Sequence, residues 1–184
     1  MSNVPRSQRS QSSAQFVQTA RELVKITLSR YNTSNKKMKD YLKDVLLIPV
    51  TRMYRDIMFI RRLYSKDDTN SILRIKLCQK TLGTLDYIAS MLDLIYLSHI
   101  DGIQGSSGFT ENQWSSWINT NNEESALIYG LMRKEIDALR KRHFNPLNFE
   151  DDSDRKRWQD IEDKLGISIY EDELNERLNQ LNDL

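Results

Sequence analysis

The 184-residue chain holds one cysteine, two histidines, three prolines and six glycines. A single thiol, Cys78, excludes an internal disulfide framework and any metal site built from a cysteine cluster. With no His or Asp close by in sequence to activate it, Cys78 reads as an inert thiol in an apolar helix. The two histidines, His99 and His143, leave little room for imidazole chemistry. Neither has a Glu three residues before it, so the Glu-x-x-His pairs of di-metal helical proteins are missing, although Asp86 and Asp93 stand one heptad apart. No glycine-rich nucleotide loop or nucleophile elbow occurs. The tract Gly105-Ser106-Ser107-Gly108 lacks the lysine of a phosphate loop and reads as linker. The expectation is a protein that is not an enzyme and uses no cofactor or metal. The longest apolar run, Val45 to Val50, is far short of the roughly 20 residues of a membrane span. The polar, Ser/Gln-rich stretch from Met1 to Ala14 is unlike a secretory signal, so a cytoplasmic location with no membrane contact is expected.

What is present is helical periodicity. No stretch alternates in the manner of a strand, which predicts an all-α protein. A first helix is expected from about Ser13 to Tyr31, with Phe16, Val17, Ala20, Leu23, Val24, Leu28 and Tyr31 on one face and Ser12 or Ser13 as its cap. A second is expected from Asn35 to Tyr64. Met38, Tyr41, Leu42 and Val45 mark its first half, and Val50, Met53, Ile57 and Ile60 mark its second. Pro49 should kink or break it, because the ring clashes with the carbonyl of Val45. The third, Thr69 to about Ile100, is the most apolar, with Leu73, Leu77, Leu85, Ile88, Leu92 and Ile95 facing inward. The fourth opens at Thr110 or Glu111 and runs to about Arg142, with Trp114, Trp117, Ile118, Leu127 and Ile136 inside. Asn119 to Asn122 could divide it in two. A short helix with Trp158, Ile161 and Leu165 should begin near Ser153 and stop at Gly166, and Leu174, Leu178 and Leu181 give a last narrow stripe. The simplest way to bury four long stripes is a four-helix bundle. The expected organisation is a disordered segment over 1–12, the bundle over 13–144 and an acidic helical C-terminal appendage over 145–184, which folds back or docks on a partner.

The formal net charge of +1 hides a strong asymmetry. Residues 1–66 carry 14 Lys/Arg and 4 Asp/Glu, a net of +10. Residues 67–143 carry −2, and residues 144–184 carry −7. A basic front beside an acidic tail points to a polyanionic ligand for the front. The basic residues of the second helix are placed rather than scattered. Lys36, Lys39 and Lys43 fall within roughly 60° at 100° per residue. Past Pro49, Arg52, Arg55, Arg62 and Lys66 form a second stripe with Phe59 in its middle, and residues 57–66 contain no acid. Arginines clamp phosphates, and an aromatic among them offers a stacking face to an unpaired base. Arg21, Lys25 and Arg30 on the first helix extend this surface. Arg74, among apolar residues of the third helix, reads as a snorkelling surface cation.

The helix lengths, the lysine-rich start SNKKMKDYL of the second helix, its continuation YRDIMFIRRLYS and the third-helix run ILRIKLCQKTLGTLDYIASMLDLIYL together resemble the accessory variability determinant proteins of diversity-generating retroelements, over roughly residues 16–143. These are distantly similar to small bundle proteins encoded in ribosomal RNA intervening sequences. The resemblance implies a basic homo-oligomer, a pentamer, that partners a reverse transcriptase and binds RNA and possibly cDNA during mutagenic copying of a template RNA. The family's basic positions would correspond to Lys36, Lys37, Lys39 and Lys43, and after them to Arg52, Arg55 and Arg62. The chain differs from the family pattern in its acidic tail and in the long Gly/Ser loop before the fourth helix. The other reading of the same residues is a structural or adaptor bundle that binds a protein without nucleic acid.

Overall fold

In a computed structural model, the backbone is described for residues 6–63, 67–100, 110–143 and 152–166. All regular structure there is helical: α1 (Arg6–Thr33), α2 (Lys36–Leu42), a π-helical turn (Lys43–Leu47), α3 (Ile48–Arg62), α4 (Asp68–Ile100), α5 (Glu111–His143) and α6 (Asp152–Leu165). No strand occurs among the described residues. α1 begins at Arg6 rather than Ser13, so residues 6–12, expected to be disordered, belong to the helix. Nothing between Arg6 and Thr33 is Gly or Pro, and Arg and Gln propagate a helix well. Residues 1–5 lie outside the described residues.

Local chemistry sets the other ends. The Asn35 side chain accepts from the backbone N–H of Met38 at 2.9 Å and caps α2. Asp67 does the same for Asn70 at 2.7 Å before α4. Thr110 and Gln113 form a reciprocal capping box at the start of α5, each side chain accepting from the other's backbone N–H. Gly166 ends α6 with φ of +64°, a conformation that favours glycine.

Pro49 neither breaks nor stops the second helix. The chain widens into a π turn just before it, in which the Ile48 N–H donates to the Lys43 carbonyl, and then continues as α3. A π turn absorbs one extra residue, which turns everything after it back by about 100°. Met38, Leu42, Leu46 and Val50 are spaced by four. On an uninterrupted α-helix they would drift around the rod, and the wider turn returns Val50 to the face of Met38 and Leu42. Leu46 and Val50 are fully buried and Leu42 nearly so.

α1 lies against α3 and α5, and α4 lies against the same two. Cross-contacts fix the α4–α5 pair as antiparallel. Arg142 donates to Ser71 Oγ at 2.6 Å, Arg74 to Glu135 at 2.7 Å and Asn121 Nδ2 to the Leu85 carbonyl at 3.1 Å, while Tyr96 stacks on Trp114 with centroids 5.0 Å apart. Arg74 is thus the part-buried half of an ion pair, not a snorkelling surface cation. Packing also overrides the polar run at Asn119–Asn122: α5 is continuous, with Asn121 buried against α4. The core gathers Phe16, Val17, Ala20 and Leu23 of α1, Met53, Ile57 and Ile60 of α3, Cys78, Leu85, Ile88 and Leu92 of α4, and Trp117 and Ile128 of α5. Burial pushes the Cys78 thiol up to about 12, as an inert thiol requires. Three expected core residues are instead exposed, Leu28, Tyr41 and Leu73, each at the edge of its stripe. α6 seats Ile161 and Leu165 on Ile75, Ile136 and Leu139, where α4 begins and α5 ends. The described part of the acidic tail therefore folds back onto α4 and α5. The stripe Leu174, Leu178 and Leu181 lies outside the described residues.

One layer of the core is polar. Trp117 Nε1 donates to Thr27 Oγ1 at 3.2 Å, and Thr27 donates onward to the Leu23 carbonyl at 2.8 Å. Two turns further along α5, Glu124 is fully buried near the Ala20 backbone, and neither of its oxygens makes a hydrogen bond of ordinary geometry. Burial, and after it the charge of Glu123, pushes the Glu124 carboxyl up to about 8, with the Ala20 amide acting weakly in the opposite direction. The group is held mainly neutral at pH 7.

Candidate nucleic-acid interface

α3 carries one acid, Asp56, and Asp56 is buried. The solvent face of α3 presents Arg52, Arg55, Phe59 and Arg62, all exposed, with Phe59 at 51%. What sets Phe59 apart from other exposed apolar side chains is its place among arginines, where its ring is open to stacking. Val50, Met53, Ile57 and Ile60 hold the opposite face in the core and fix this orientation.

The rotation at the π turn bears on the lysine row. On an unbroken α-helix, Lys36, Lys39 and Lys43 would stand well around the rod from the arginine stripe. The turn of about 100° brings the two rows onto one outer face. Lys36 and Lys43 are exposed. Lys39 is half-buried, with its ammonium 5.9 Å from the centre of the Tyr31 ring, which ties it to the end of α1. Asp40 and Asp44 are exposed between these lysines and weaken the row's field. The arginine half is the stronger part. Of the other expected residues, Arg21 is exposed on α1 and Arg30 is half-buried beside a polar groove of about 250 Å³ between α1 and α5, lined also by Glu22, Lys25, Ser29, Gln113 and Ser116. Lys25 is bridged to Glu22 at 3.0 Å. The side chain of Lys37 and the whole of Lys66 lie outside the described residues.

The structure adds one residue that the sequence did not point to. Lys80 of α4 reaches Asp56 Oδ2 at 2.8 Å, while Arg55 holds Asp56 Oδ1 through Nη2 at 3.2 Å and Nε at 3.3 Å. Two cations from different helices share one buried carboxylate, and each remains about 60% exposed, at 60% for Arg55 and 59% for Lys80. The signal in sequence was Asp56 itself, an acid at a core-facing position, which needs cationic partners to be buried.

No group of His, Cys, Asp and Glu suited to a metal ion occurs among the described residues, and no described helix is long and apolar enough to cross a membrane. Asp86 and Asp93 are both exposed. Comparison of the chain with protein-family models, with curated proteins and with solved structures returns no match.

Proposed function

We propose that the protein is a non-enzymatic nucleic-acid-binding subunit whose working surface is the outer face of α2 and α3. In this reading α1, the α2–α3 rod, α4 and α5 are the four members of a four-helix bundle, and α6 is an accessory helix. The observation that carries it is the acid-free solvent face of α3, with Arg52, Arg55 and Arg62 around an exposed Phe59 and the only acid turned inward. A face that serves solubility alone mixes both signs. A face that neutralises phosphates does not. The mechanism is positional: phosphates displace their counterions onto arginine, and the strand is held along the rod. The resemblance of the α2, α3 and α4 sequences to retroelement accessory proteins names the partner class, a reverse transcriptase in the cytoplasm, and a homo-oligomer as the working form.

The test is binding of fluorescent single-stranded RNA to the full chain across a salt series. Wild type should show log K falling linearly with log salt. The R52Q/R62Q variant should flatten that slope by about 1.4, close to 0.7 per lost phosphate contact. A variant that binds as wild type does would assign the rod to protein contact and favour the adaptor reading. The partner class is tested separately, by copurification of a reverse transcriptase with the tagged chain from its native cells.

A further inference from the structure

The pairing of Arg55 and Lys80 through Asp56 goes beyond a basic face. Asp56 is 5% exposed at its side chain, and both of its oxygens are engaged, one by each helix. The carboxylate cancels one of the two charges, so the cluster keeps a surplus of +1 and fixes where two forked or multi-proton donors sit. Arg55 retains guanidinium N–H groups and Lys80 retains ammonium protons beyond those used on Asp56, on side chains that are 60% and 59% exposed. Such a pre-positioned pair offers two charged donors to one phosphate with little further loss of side-chain freedom. The aromatic lies alongside. Arg55 and Phe59 are four apart on one helix face and are neighbours there. On the helical wheel, Arg52 and Phe59 fall within about 60° of Asp56, on the side of α3 that meets α4. Cations and ring therefore border the same seam.

We propose that Asp56 positions Arg55 and Lys80 as a phosphate clamp across the α3–α4 seam, and that the ligand is single-stranded nucleic acid, with one backbone phosphate on the clamp and an adjacent unpaired base on Phe59. This rests on the nucleic-acid reading of the α3 face and sharpens it. A duplex can satisfy the arginines but cannot offer a base face to Phe59.

The sign of one substitution separates the clamp from general electrostatics. Asp56→Asn makes the protein more positive, so a surface that attracts phosphates by charge alone should bind more tightly. A clamp that depends on the carboxylate should bind single strands several-fold more weakly despite the added charge. Lys80→Gln should weaken single-strand binding about as much as Arg55→Gln and lower the salt slope by about 0.7. The double variant should cost little more than either single one, because one phosphate uses both donors. Lys134→Gln, the same charge change at an exposed site on α5, should leave binding close to wild type. Phe59→Leu should weaken a single-stranded oligonucleotide about tenfold and leave a duplex of the same sequence unchanged. Thermal melting of each variant accompanies the titrations. Should Asp56→Asn fail to fold, the Arg55, Lys80 and Phe59 set carries the test. Additive, control-sized effects of Arg55→Gln and Lys80→Gln, or an equal effect of Phe59→Leu on both ligands, would overturn the clamp while R52Q/R62Q still tested the wider face. A wild-type protein that binds no nucleic acid would overturn both.

Discussion

Glu124 shows how a single side chain sets a pH dependence for the whole fold. Its carboxyl titrates at about 8 when folded, against an ordinary value of 4.5. Between those values the folded chain holds a proton that the unfolded chain has released. Folding then takes up a proton, so stability is greatest at the acid end and falls as pH rises from 4.5 through 8, after which it levels off. The slope from this group is about 1.4 kcal/mol per pH unit. Glu124→Gln keeps the shape and removes the ionisation. The variant should be more stable than wild type at pH 7 by an amount on the order of 2 kcal/mol, and the advantage should shrink toward pH 5. Denaturant melts of both proteins at pH 5, 6, 7 and 8 measure the difference. Other titrating groups are common to the pair and cancel. A difference that stays constant across that range would show that Glu124 is already ionised in the folded protein, as it is in the unfolded chain, so that burial does not raise its carboxyl.

At the scale of the element, α6 can be argued from two side chains. Among its described side chains, its hold on the rest of the protein rests on Ile161 and Leu165, both buried against Ile75, Ile136 and Leu139, while the side chain of Trp158 lies outside the described residues. Asp160, Asp163 and Lys164 face solvent. A 14-residue helix of such polar composition is marginal by itself in water. I161D/L165D should therefore release α6, with loss of hydrogen-exchange protection over 152–165 and little change in α1 or α3. Protection that persists would mean the helix is held by something other than this apolar contact. The elements were largely readable in the sequence, because stripes such as Val50, Met53, Ile57 and Ile60 fix both helix and facing. Two features were not. The π turn depends on how Leu46 and Val50 meet the other helices, and a wheel of constant pitch does not contain the rotation it introduces between the lysine and arginine rows. The continuity of α5 through Asn119–Asn122 depends on the Leu85 carbonyl, 36 residues away in the chain, accepting from Asn121. The arginine face and Phe59 were legible because exposure follows from periodicity. Lys80 was not, because only tertiary packing brings it to Asp56.

For the whole molecule the question is what a tail of −7 does to a front of +10. The described part of the tail sits on the α4–α5 side of the protein, where its apolar residues bind, and the arginine stripe faces outward from α3. The described acids of α6 thus leave Arg52, Arg55 and Arg62 exposed and act on them through the field rather than by covering them. Interactions of that kind are screened over about 8 Å at physiological salt and about 30 Å at 0.01 M. A full-length variant with every Asp and Glu of residues 144–184 changed to its amide keeps Ile161 and Leu165 and removes only charge. It should bind single-stranded RNA more tightly than the natural chain at 0.01 to 0.05 M salt, and the two binding curves should converge as salt approaches 0.2 M. Convergence follows from screening, since the described part of the tail leaves the arginine face open. A gain in affinity that survives at 0.2 M salt would instead require the acids to occupy the arginine face directly, as a competitor for the phosphates.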